Sequence, residues 1–139
     1  MSDVAKIALS GQRVRHMADV TDLVALLFPA NRNQQYAAAR ILLALRAAAG
    51  PVGGLADLAA RDGISRRTLE RTRAKLARLG LIERVTRMHR RYGGQQGWVL
   101  SGRLSTTLRQ LAERIDVWRG EIAAERVAKE EVLVLALRP

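Results

Sequence analysis

Basic side chains concentrated in the middle of the chain are the feature of this sequence with the clearest chemistry. The 139 residues include 24 basic and 13 acidic ones, which gives a formal charge of +11. Residues 61–103 hold twelve of the basic and three of the acidic residues, whereas residues 104–139 hold six of each. A single-signed cluster of this density is typical of a surface that binds a polyanion. A solvated basic surface without a partner is the alternative, and the confinement of the charge to one segment argues against it.

The segment 65–79 has the pattern of an amphipathic helix with a basic face. Ser65 is a good N-cap. The predicted buried stripe consists of Leu69, Thr72, Leu76 and Leu79. The residues predicted to contact DNA are Ser65, Arg66, Arg67, Glu70, Arg71, Lys75 and Arg78. Arginine can donate two hydrogen bonds to guanine and Glu70 can accept one from cytosine, while Lys75 and Arg78 are placed for phosphates.

An arginine-rich hairpin is predicted directly after this helix. Leu81–Val85 and Gly97–Leu100 have strand character, and they flank a turn over Thr86–Gln96 that contains two consecutive glycines. The predicted DNA contacts of the turn are Arg87, His89, Arg90 and Arg91. Arginines at a hairpin tip can reach phosphates or enter a narrow minor groove. An ordinary solvated hairpin is the alternative.

Shorter elements are predicted to precede and support this pair. Residues 3–9 are predicted as a short strand or an arm, and apolar spacing predicts a helix over Ala18–Phe28. A longer helix begins at Asn31 or Asn33 and runs to Ala49. Its predicted buried residues are Tyr36, Ala39, Ile41, Leu42 and Leu45. After a break at residues 50–54, residues 55–61 form the next predicted helix, which Gly63 closes in a left-handed conformation.

Two stretches in this region carry a recognisable pattern. Residues 55–70 read L-A-D-L-A-A-R-D-G-I-S-R-R-T-L-E, and residues 73–84 read R-A-K-L-A-R-L-G-L-I-E-R. They resemble the winged helix-turn-helix superfamily of bacterial and phage DNA-binding proteins, and the resemblance extends over residues 33–101. It implies a mainly α fold, with the helix that starts at Ser65 as the recognition helix and Thr86–Gln96 as the wing.

The C-terminal part is predicted to begin with a long helix from about Ser105. Its apolar residues alternate at spacings of four and three, which is the repeat of a coiled coil. The predicted dimer interface consists of Leu104, Leu108, Leu111, Ile115, Trp118 and Ile122. Packing of the same stripe against its own domain is the alternative. The apolar run Glu131–Leu137 is predicted as a terminal strand.

The residues needed for catalysis or metal binding do not form a recognisable pattern. The two histidines, His16 and His89, are far apart in the sequence, and the chain has no cysteine. Asp19 and Asp22 are spaced as carboxylates that stabilise a helix N-terminus. We therefore expect no enzymatic activity, no cofactor and no bound metal.

Three regions are predicted: an N-terminal arm and helix (1–30), a winged helix-turn-helix domain (31–102), and a dimerisation helix with a terminal strand (103–139). The expected function is sequence-specific binding of double-stranded DNA by a homodimer that regulates transcription. One alternative is a replication or partition protein of a plasmid or phage. Another is a non-enzymatic interaction or RNA-binding scaffold. No apolar run approaches the ~20 residues of a membrane span, and the N-terminus lacks the basic start of a signal peptide, so we expect a cytoplasmic protein without a membrane partner.

Overall fold

Helices make up most of the computed structural model, as the sequence predicts. The structure describes residues 7–86, Met88 and residues 90–139. The helices before the hairpin are α1 (Gly11–Arg15), α2 (Val20–Leu27), α3 (Arg32–Ala47), α4 (Ala56–Arg61) and α5 (Arg66–Leu79). The later elements are β1 (Ile82–Val85), a 3₁₀ helix (Arg90–Tyr92), β2 (Gly97–Leu100), α6 (Arg103–Gly120) and α7 (Ala124–Leu135). The chain divides into two compact units between Arg103 and Leu104. We call residues 7–103 the head and residues 104–139 the C-terminal unit.

Polar side chains determine where α2 and α3 begin. The Asp19 carboxylate accepts hydrogen bonds from the backbone N–H groups of Thr21 (2.8 Å) and Asp22 (3.2 Å), and the Asp22 carboxylate accepts one from the Asp19 N–H (3.3 Å). This reciprocal arrangement is a capping box. The Thr21 hydroxyl donates a further bond to Asp19 and is the main cause of the lowered pKa of that carboxyl group, with the two backbone N–H groups adding to the effect. Asn31, rather than Asn33, caps α3 by accepting from the Gln34 N–H.

The core of the head lies where α2, α3, α4, α5 and β1 meet. Its side chains include Phe28, Ile41, Leu55, Leu76 and Ile82, all nearly inaccessible to solvent. Because α2 contributes to this core, its residues belong to the head, and the predicted boundary after residue 30 is wrong.

The buried face of α3 differs from the prediction at its N-terminal end. Ile41, Leu42 and Leu45 are buried as predicted, but Tyr36 is half exposed, and two alanines, Ala37 and Ala38, are buried instead. The first turn of a helix contains few apolar residues, so its sequence indicates poorly which side will be buried. The elements that pack against the helix determine that side.

The C-terminal unit is helical throughout α6 and α7, and the predicted terminal strand over Glu131–Leu137 is wrong. Residues up to Leu135 continue the helix that starts at Ala124. A short apolar run does not distinguish helix from strand by its periodicity. Here good helix formers precede the run, and a helix that has already formed extends at little cost. Since α6 ends at Gly120, Ile122 of the predicted dimer stripe lies outside that helix.

Candidate nucleic-acid interface

The helix α5 presents one face to the core and the opposite face to solvent. Ser65 caps it, with its hydroxyl oxygen 3.1 Å from the Thr68 backbone nitrogen, and Gly80 ends it in the left-handed region at φ +91°. The buried positions are Leu69, Thr72, Lys75 and Leu76. Leu79, predicted to be buried, is partly exposed.

Four of the five arginines of α5 project into solvent, as the sequence predicts: Arg66, Arg67, Arg71 and Arg78. Within the described residues, the last three of these make no ion pair. A helix face with several unneutralised guanidinium groups repels itself. An anionic ligand that binds there therefore replaces repulsion with attraction.

Arg66 and Glu70 pair with each other across one helical turn. The Nε atom of Arg66 lies 3.1 Å from a carboxylate oxygen of Glu70, and the Arg66 side chain is 91% exposed. Exposed pairs of this spacing contribute only about 0.3–0.5 kcal/mol. Both groups are thus available to a ligand that offers better partners, and the second carboxylate oxygen of Glu70 can accept a hydrogen bond while the pair is intact.

Lys75 is buried, so the exposed position from which it was predicted to contact a DNA phosphate is wrong. Its side chain is 3% exposed, its ammonium group donates a hydrogen bond to the Leu27 carbonyl, and Nζ lies 4.6 Å from the centre of the Phe28 ring. The last carbonyls of a helix lack intrahelical partners, and Leu27 is the last residue of α2. The ammonium group of Lys75 thus closes the end of α2, and the buried face of α5 is wider than the stripe of leucines.

The hairpin predicted as the wing is formed by β1 and β2. The strands pair antiparallel, with Arg84 opposite Trp98 and Val85 opposite Gly97. Between them, Arg91 is exposed and its guanidinium carbon lies 5.8 Å from the centre of the Tyr92 ring. The turn also exposes Met88, at 89%, which is not among the predicted contacts. Of the predicted contacts, Arg87 and His89 lie outside the described residues, and Arg90 begins the 3₁₀ helix.

A third segment joins the base of the hairpin. Val52 and Trp98 exchange two backbone hydrogen bonds, of 3.0 and 2.8 Å, so residue 52 extends the sheet beside β2. This approach requires glycine at position 97, which has φ +143° and where a Cβ atom would collide with the Val52 carbonyl group.

Two further arginines connect the hairpin to α5, and neither contact was predicted from the sequence. The guanidinium carbon of Arg73 lies 5.3 Å from the centre of the Trp98 ring. Arg103 donates to the Ala77 carbonyl at 3.1 Å and lies 3.8 Å from a carboxylate oxygen of Glu83 on β1. These contacts position the hairpin relative to α5. Helical periodicity places Arg73 beside the buried stripe of α5, but the partners of both arginines lie on other elements and have no local sequence signal.

Within residues 7–86, 88 and 90–139, no three histidine or carboxylate side chains are grouped so that they could hold a metal ion. None of the described helices has the length and apolar composition needed to cross a membrane. No protein-family model, curated protein or solved structure matches this chain.

Proposed function

We propose that the protein binds double-stranded DNA sequence-specifically through α5 and the β1–β2 hairpin, as a homodimer that regulates transcription. The observation that carries this proposal is the exposed basic face of α5, which lies on the same head as an arginine-containing hairpin braced against that helix. A protruding helix can enter the major groove of B-DNA, and a hairpin beside it can contact the backbone or the minor groove.

The N-terminal half of α5 is suited to reading bases. Arg67 and Arg71 are exposed and unpaired in the described structure, and arginine forks onto the O6 and N7 atoms of guanine. Arg78, at the end of the helix, is suited to a phosphate. The hairpin arginines supply attraction that does not depend on sequence.

The proposal is tested by selecting bound fragments from random duplex DNA at moderate salt, followed by sequencing. A two-fold symmetric motif with half-sites about one helical turn apart supports a dimeric regulator. Direct repeats favour replication or partition instead. The absence of any enriched motif, with binding that disappears as salt increases, contradicts sequence-specific recognition.

Matched arginine variants identify the surface that binds. We expect Arg67→Ala to weaken binding to the selected site and to relax its sequence preference, because a bidentate contact discriminates by about 1–3 kcal/mol. Arg109→Ala removes the same charge from an exposed position on α6 and serves as the control. Equal losses from the two changes would mean that net charge, and not α5, determines binding. Retention of binding to an acidic protein or RNA but not to DNA would favour the scaffold alternative.

A further inference from the structure

The C-terminal unit exposes an apolar stripe on each of its two helices. No residue of α6 or α7 is buried, and the stripe of α6 includes Ile115, 45% exposed, and Trp118, 59% exposed. On α7, the side chains of Ala128, Val132 and Leu135 share a face. A separate helix of 12 residues, as α7 is, is marginal in water, and helices in proteins gain most of their stability when such a face packs against another surface.

Contacts within the unit leave both stripes open. At the junction of the helices, Trp118 Nε1 donates to a Glu130 carboxylate oxygen at 2.8 Å, and Arg126 pairs with Glu121 at 2.9 Å. These polar contacts set the junction, but they bury no apolar side chain. The surface that covers the stripes therefore has to come from elsewhere.

The charges beside the stripes indicate what that surface is. Arg114 and Arg119 flank the stripe of α6, where Arg119 also lies 3.7 Å from Asp116, and Glu125 and Glu131 flank the stripe of α7. In this fully described unit, Arg114, Glu125 and Glu131 make no ion pair. Residues 104–139 carry six basic and six acidic groups, in contrast to the strongly basic head. A second copy supplies matching acids and bases, whereas a polyanion would be attracted to the head.

We propose that two copies of the chain dimerise through their C-terminal units, with the α6 stripe of one copy packed against the α7 stripe of the other. Four helices then enclose a shared apolar core, and the two-fold symmetry uses each stripe twice. The arginines beside α6 face the glutamates of the partner's α7. This inference extends the dimer in the proposed function to α7 and names the surfaces that pair.

Light scattering and sedimentation of the full-length protein without DNA test the inference, so the result is independent of DNA binding. Ile115→Glu and Leu135→Glu each place a charge in a stripe. Val117→Glu and Leu133→Glu place the same charge two residues away, on exposed positions outside the stripes. We expect each stripe variant to raise the dimer dissociation constant at least about thirty-fold, because a buried charge enters a symmetric interface twice.

Several results would overturn the proposal. A wild-type protein that is monomeric at all accessible concentrations contradicts it directly. Equal weakening by stripe and off-stripe variants means that these faces do not form the interface. An effect of Ile115→Glu without an effect of Leu135→Glu excludes α7 from it. Circular dichroism of every variant distinguishes loss of pairing from unfolding of the head.

Discussion

Lys75 and Arg71 offer the sharpest test of the interface, because they carry the same charge one turn apart on α5 with different surroundings. Arg71 is exposed, whereas the Lys75 ammonium group lies against Leu27 and Phe28. A simple count of charge predicts that either substitution weakens DNA binding equally. The structure predicts that Arg71→Ala affects DNA binding and Lys75→Met affects folding.

The magnitudes follow from these surroundings. A residue that neutralises one phosphate contributes about 0.9 to the slope of log affinity against log salt, so Arg71→Ala should reduce that slope by about 0.9 if Arg71 contacts one phosphate. Its effect on stability should stay within about 0.5 kcal/mol, as for most exposed substitutions. Methionine keeps the apolar stem of Lys75 but leaves the Leu27 carbonyl without its charged donor. We therefore expect Lys75→Met to lower the free energy of unfolding by about 2 kcal/mol.

Two measurements separate the effects. Urea denaturation gives the free energy of unfolding, and fluorescence anisotropy with labelled duplex gives affinity at several salt concentrations, at a temperature where both variants are folded. If Lys75→Met reduces the salt slope as much as Arg71→Ala does, Lys75 contacts DNA and its buried placement is refuted. An unchanged slope for both variants would mean that neither side chain neutralises a phosphate, and an unchanged affinity for Arg71→Ala as well would mean that Arg71 does not contact DNA.

Three other substitutions test how the head is built. We expect Gly97→Ala to lower the free energy of unfolding, measured by urea denaturation, by about 1–3 kcal/mol. The alanine Cβ atom would collide with the Val52 carbonyl group, and residue 97 has a positive φ. Thr72→Val should raise stability by about 1 kcal/mol in the same assay, since the Thr72 hydroxyl is buried without a hydrogen-bond partner in the described structure. Asp19→Asn keeps a capping oxygen but cannot titrate. Folding lowers the pKa of Asp19 below its ordinary value of 3.8, so the charged carboxylate stabilises the folded state fully when the pH is above 3.8. This stabilisation is lost as the pH falls through the lower pKa of the folded state. Thermal unfolding should accordingly lose less stability on acidification in Asp19→Asn than in the wild type.

Each of these has a control. Gly102→Ala introduces a Cβ atom with nothing within 4 Å and should be nearly neutral; equal losses at residues 97 and 102 would argue against the collision. Thr72→Ala removes the same hydroxyl but leaves a cavity, so it should be less stable than Thr72→Val. If Thr72→Val is instead the less stable of the two, the hydroxyl has a partner. Identical acid sensitivity of Asp19→Asn and wild type would show that the capping carboxylate does not contribute.

Much of the head could be predicted from the sequence where local chemistry decides the structure. Ser65 caps α5 as predicted, and the predicted segment 65–79 ends at Gly80 in a left-handed conformation, because capping and left-handed backbone conformation depend on the residue itself and its near neighbours. The strands on either side of the turn were predicted for a similar reason: apolar and β-branched residues flank a glycine pair. The exposed arginines of α5 followed from the periodicity of one helix.

The errors occurred where a segment's state depends on what packs against it. The run Glu131–Leu137 has strand composition, but it continues an existing helix. Tyr36 lies beside two alanines whose small side chains take the buried positions. Composition alone does not reveal which side of a helix its neighbours will cover.

The sequence by itself thus determined the order of the helices and strands from α2 to α6, several of their end signals and the concentration of positive charge in residues 61–103. Tertiary structure alone decided which basic groups remain free for a ligand. Lys75 meets a carbonyl 48 residues away, and Arg73 meets a ring 25 residues away. These contacts arise only when the chain folds, and the physical reason is that the partner of a long polar side chain is set by distance in space rather than by spacing along the chain.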